Sequence, residues 1–156
     1  MRRWGLAGLA LALLLGGGVR ADEKDGDKEA AVKKDWKLLN GTWEAVRAVV
    51  DGKKMPAPKE KATVTVKDGK YTVRVGEKVA SEGTAKIDPT TTPKSIDSTP
   101  ATGENKGKTF RGIYEVKGDE HRVCFAPPGK PRPKTFESKE GSGHRLYTYK
   151  RVKARN

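Results

Sequence analysis

The hydrophobic pattern changes period once, at Asn40-Gly41-Thr42-Trp43, and that change constrains the fold more than any other feature. Before it, Val32, Trp36 and Leu39 recur at helical spacing, with Leu38 beside them. Asn40-Gly41 ends the helix, because glycine tolerates the left-handed conformation that follows a last turn. After it, apolar residues alternate in short runs to the end of the chain. Gly41 lets the chain turn sharply out of the helix and Thr42 starts the first strand. Trp43 is then placed to plug the closed end of a small barrel, beneath Trp36 and Leu39.

The alternating runs are 42–50, 61–67, 70–75, 79–87, 94–98, 108–117, 120–126, 134–138 and 145–151. Turn residues separate them. Asp51-Gly52 ends the first run, and Asp68-Gly69 between Val66 and Tyr71 is a strong hairpin signal. Gly118-Asp119 turns the seventh strand of this reading away from the sixth. Pro127-Pro128-Gly129 with Pro131 and Pro133 makes a long irregular connection. No second helix is long enough for a βαβ crossover, and there is no internal repeat. The expected fold is all-β: a small antiparallel up-and-down barrel of 8–9 strands with a short N-terminal helix. Closure removes exposed strand edges and suits this strand count. A two-sheet sandwich accommodates the same strands, with the Pro/Gly connections as the places where a barrel would open.

Residues 1–21 read as a secretory signal. Arg2 and Arg3 precede an apolar run from Gly5 to Val19, and Val19-Arg20-Ala21 places cleavage after Ala21. The run is shorter than the roughly 20 residues that span a bilayer, so no stable membrane insertion is expected after cleavage. The paired arginines leave twin-arginine export open beside the general route. No cysteine follows the cleavage point, which argues against a lipid anchor. Residues 22–30 carry charges with almost no apolar residue and read as a disordered linker. Residues 31–152 form the barrel domain, in a secreted or periplasmic protein. Cys124 is the single cysteine, so no intramolecular disulfide forms and the core alone must stabilise the fold.

The formal charge is +13, and loss of Arg2, Arg3 and Arg20 with the signal lowers it to +10. Such a surface attracts polyanions. The basic residues nevertheless fall in separate small clusters, such as Lys33-Lys34, Lys53-Lys54 and Lys150/Arg151/Lys153/Arg155. That distribution suits a solvated surface with protected strand edges. Nucleic acid is not an expected partner, because the aromatics read as buried rather than interleaved with the basic residues.

No pattern points to catalysis. His121 and His144 lie on different segments and belong to no metal-binding spacing, and a zinc site needs about four ligands. Gly141-Ser142-Gly143 has no strand-to-helix step around it and is a turn, not a nucleophile elbow. No enzyme activity, cofactor or metal is expected. What remains is the barrel interior. Alternate strand residues share a face, which gathers Val64, Val66, Tyr71, Val73, Tyr114, Val116, Val123 and Phe125. These, with Trp43, are the candidate ligand-binding residues; a packed core without a cavity is the other reading of the same set.

An ordered set of short motifs carries a family likeness. It comprises Leu39-Asn40-Gly41-Thr42-Trp43, Asp51-Gly52-Lys53-Lys54 with Pro56, and Glu82-Gly83-Thr84 with Ile87-Asp88-Pro89. Pro93-Lys94-Ser95-Ile96-Asp97, Gly112 to Val116, Val123 to Ala126 and Pro128 to Pro133 continue it, followed by Phe136 and Gly141-Ser142-Gly143. Over about residues 36–151 the chain resembles the lipocalin-like domain family expanded in planctomycetes. The resemblance implies a small lipocalin-like barrel and no known activity. In true lipocalins an arginine near the last strand packs over the barrel tryptophan, and Arg151 or Lys150 stands where that residue would be. The expected function is an exported, monomeric lipocalin-like module that binds a small, partly apolar molecule inside the barrel. The alternative is a non-enzymatic structural or interaction protein whose basic surface meets an anionic envelope polymer or a protein partner.

Overall fold

The computed structural model describes residues 20–154; all but the last two residues of the expected signal lie outside them. Helix α1 spans Arg20–Leu39. Alanine, lysine and glutamate are strong helix formers, and Glu29 pairs with Lys33 one turn on at 2.9 Å. Lys37 in the last turn complements the helix dipole. The segment 22–30, expected as a disordered linker, is therefore helical. The sequence lacks an apolar stripe there, but helix propensity and local charge pairs extend the amphipathic half back toward the N-terminus. Lys28 adds a tie to Asp88 at 2.7 Å. Among the described residues, no helix is long and apolar enough to cross a membrane.

The strands are β1 (Gly41–Val50), β2 (Lys53–Lys54), β3 (Ala62–Lys67), β4 (Lys70–Val75), β5 (Lys78–Asp88), β6 (Ser95–Pro100), β7 (Phe110–Lys117), β8 (Glu120–Phe125) and β9 (Arg145–Arg151). Neighbours in sequence pair antiparallel from β3 to β9, and β1 pairs with both β3 and β9. The sheet thus closes as an eight-stranded up-and-down barrel, with β2 a short addition to β1. The two Asp-Gly turns place both residues at positive φ: 49° and 79° at Asp51-Gly52, 47° and 84° at Asp68-Gly69. That is the tight hairpin geometry whose twist matches the strands it joins.

The expected strand at 134–138 does not form. Pro131 and Pro133 remove backbone donors, and the whole connection 126–144 instead folds over the outside of the barrel. Arg132 donates to the carbonyls of Ile96 at 3.0 Å and Gly112 at 2.7 Å. Arg122 lies over the Phe136 ring, 4.8 Å from its centroid. Beneath this wrap, Ser95, Ile113, Cys124, Leu146 and Val49 stand opposite one another across four strand pairings. Ile113 and Cys124 are buried although they face away from the interior. The barrel therefore has a second, outer apolar strip.

The inner core collects Leu39, Ile87, Ile96, Tyr114 and Val123, with Val32 and Trp36 of the helix packed against them. Asp35 fastens the helix to the barrel. Its carboxylate is buried, accepts from the Tyr114 hydroxyl at 2.8 Å, and pairs with Lys94 at 2.6 Å. Burial, then the neighbouring Asp35, raises the Tyr114 pKa well above the usual phenol range, so the hydroxyl stays protonated and donates.

Candidate functional site

The helix crosses one end of the barrel and Trp43 plugs it. Trp43 has 0% of its surface exposed, and its indole N–H donates to the Leu39 carbonyl at 2.8 Å. The Arg151 guanidinium sits over the ring, 4.1 Å from its centroid, and donates to the carbonyls of Asn40 and Leu38 at 3.0 and 2.7 Å. Of the two cations near the last strand, Arg151 takes this position. It joins strand, helix end and tryptophan in one contact, so the barrel is sealed here by polar as well as apolar interactions.

Above the plug the barrel is hollow. A cavity of about 1100 Å³ runs from Trp36 and Leu39 of the helix to the loops at the opposite end. Ligand pockets commonly occupy about 300–1,000 Å³, so this one is large for so small a chain. Two glycines on the inner face set its width. A Cβ at Gly83 would lie 2.5 Å from the Tyr71 hydroxyl, and one at Gly112 would lie 2.5 Å from the Phe125 ring. Both aromatics therefore lie against the wall on the space a side chain would occupy. The Tyr71 hydroxyl also accepts a hydrogen bond from Ser98 at 3.1 Å.

Six of the nine candidate residues line this cavity: Val64, Val66, Tyr71, Val73, Val123 and Phe125. Trp43, Tyr114 and Val116 do not. Trp43 lies below the floor, and Tyr114 is turned toward Asp35 on the helix with 1% exposed. Val116 packs against the core cluster at the same end. These three build the base on which the cavity rests. The inner face was legible as a face, but a helix lying across one end of the barrel covers part of it.

The charged residues of the lining are Arg47, Lys54, Lys70, Glu104 and Arg145, all exposed. No charged side chain of the lining is buried. The mouth is formed by Met55 to Pro58 and by Thr102 to Asn105. Beyond Glu44, β1 no longer pairs with β3, while its pairing with β9 continues to Val50 through a bulge between Ala45 and Arg47. Val46 and Met55 are left 51% and 47% exposed at that gap, so the apolar lining reaches the surface there.

His121, weighed in the sequence only as a metal ligand, was left out of the interior set. It stands on the inner face of β8, opposite Tyr149, and lines the cavity. Its ring stacks on Tyr149 with centroids 5.5 Å apart and meets Trp43 edge-on at 5.4 Å. Both ring nitrogens are buried without a hydrogen-bond partner. Burial, helped by the nearby Arg151 charge, lowers its pKa to about 4. The signal was its parity: His121 precedes Val123 and Phe125 by two and four residues, and so shares their face. His144 lies on the outer connection, with Nδ1 3.4 Å from the Glu137 carbonyl oxygen. Cys124 is on the outer strip, where burial raises its thiol to about 11. Among the described residues, no three His, Cys, Asp or Glu side chains gather as a metal site. Comparison with protein-family models, with curated proteins and with solved structures finds no match for this chain.

Proposed function

We propose that this chain is an exported, non-enzymatic lipocalin-like module that holds a small, largely apolar molecule inside its barrel. The observation that carries this reading is the cavity of about 1100 Å³, closed by the helix and Trp43 at one end and open at the other. Its walls are valine, alanine and aromatic side chains, and its charges are confined to exposed positions. Apolar surface left in water is unfavourable by about 25 cal/mol per Å², so an apolar guest that fills the space gains the burial that the empty barrel lacks. Native mass spectrometry of protein purified from its own host tests the proposal. The expected result is a co-purifying small molecule, released on denaturation. Repeated recovery of ligand-free protein that also fails to bind neutral hydrophobic dyes would overturn it.

A further inference from the structure

The inner end of the cavity holds a buried polar side chain without a partner. His121 is 6% exposed, lines the cavity, and has both nitrogens buried without a partner. Buried polar groups are nearly always hydrogen-bonded, and each exception calls for an explanation. Leaving them unpaired keeps the whole desolvation cost in the folded protein. The neighbours do not relieve it. Tyr149 offers a ring face, Trp43 an edge, and the Trp43 N–H is already given to Leu39. Arg151 is committed to Leu38, Asn40 and Asp119.

A neutral imidazole has one donor and one acceptor. With a pKa near 4 the ring is neutral at physiological pH, so it complements a group that can accept and donate without carrying charge. An anion would lose its hydration at this depth and find no cation free to repay it. A half-turn about the Cβ–Cγ bond puts Nδ1 where Cδ2 was and Nε2 where Cε1 was, so each nitrogen takes the place of a ring carbon. The ring plane is kept, and with it the stack on Tyr149 and the edge contact with Trp43. Such terminal torsions are broad and roughly two-fold, so a ligand has only to favour one of two similar orientations.

We infer that His121 is a ligand anchor, and that the molecule taken into the barrel carries an uncharged hydrogen-bonding group, a hydroxyl or an amide, at its inner end. This rests on the reading of the barrel as a binding module. The apolar body of the ligand then lies along Val64, Val73 and Val123, and its far end faces the mouth.

Equilibrium dialysis of the mature protein against naphthalene, 2-naphthol and 2-naphthoate tests the inference. The ring is constant and only the head group changes. Wild type is expected to bind 2-naphthol about tenfold more tightly than naphthalene, the ratio that a single buried hydrogen bond supplies, and 2-naphthoate more weakly than either. His121→Phe should reverse the preference, because naphthalene is the more apolar ring. His121→Gln, which keeps a donor and an acceptor, should retain it. In the wild type, 2-naphthol and not naphthalene should shift the His121 ring nitrogen resonances, a readout that does not depend on either variant folding. Naphthalene bound as well as 2-naphthol, with no shift of those resonances, would overturn the anchor and leave the binding module standing. Tightest binding of 2-naphthoate would overturn the uncharged class. Failure of all three rings to bind would overturn the cavity reading together with the inference.

Discussion

Trp43→Ala should remove the closed end of the barrel. The indole is wholly buried, donates to Leu39, lies beneath Arg151 and touches the edge of His121. A buried tryptophan withdraws about 200 Å² from water, worth about 5 kcal/mol at ~25 cal/mol per Å². Large-to-small truncations of this kind cost about 3–5 kcal/mol. Loss of the hydrogen bond frees a carbonyl at the helix end, a further ~1 kcal/mol. Against a domain stability of about 5–15 kcal/mol, the variant should be barely folded or insoluble. Urea unfolding of residues 22–156, followed by circular dichroism and by Trp36 emission, measures the effect. At a slope of about 1.5 kcal/mol per M, a loss of about 4 kcal/mol lowers the midpoint by about 2–3 M. Trp43→Phe keeps most of the apolar burial and loses the N–H, so it should cost about 1–2 kcal/mol. A Trp43→Ala protein within about 1 kcal/mol of the parent would refute the argument that the indole seals the barrel.

Three further outcomes follow from single residues. Gly112→Ala would place a Cβ 2.5 Å from the Phe125 ring and 2.7 Å from the Cys124 carbonyl oxygen; the ring must swing into the cavity, so thermal unfolding should show a loss of about 1–3 kcal/mol. His121 has a folded pKa of about 4 against 6.5, so below pH 6.5 the unfolded chain binds a proton that the folded chain refuses. Its contribution to stability is complete above about pH 6.5 and falls by about 3 kcal/mol as the pH drops to 4. Urea midpoints across that window should show the slope, and His121→Phe should flatten it. Cys124 is buried with its thiol raised to about 11, so the native protein should be unreactive toward a thiol-specific disulfide reagent at pH 8 and react fully once unfolded in urea.

The elements themselves were legible because their signals are local. Asp51-Gly52 and Asp68-Gly69 specify tight turns by backbone preference alone, and the alternation around them fixes which residues share a face. Val64 with Val73, and Val66 with Tyr71, could be placed on one inner face before any partner was known, and they pair in that register. The change of period at Asn40-Gly41 likewise marked where helix gives way to sheet.

Closure was not local. It depends on β1 pairing with β9, residues about a hundred positions apart, through a bulge that no short pattern announces. The strand expected at 134–138 was misread for a related reason: the connection that holds it makes its contacts to strand backbones far away in sequence, such as Arg132 to Ile96 and Gly112. The helix extended further than its apolar stripe because propensity and charge pairs act without burial. Parity could place His121 on the inner face, but only the assembled barrel surrounds it with Trp43, Tyr149 and empty space and leaves its nitrogens without partners. Sequence by itself determined the eight barrel strands, their turns and their faces, since these follow from the conformational preferences of adjacent residues. Tertiary structure alone decided that the interior is hollow, because a cavity is set by how distant side chains fail to fill the space between them.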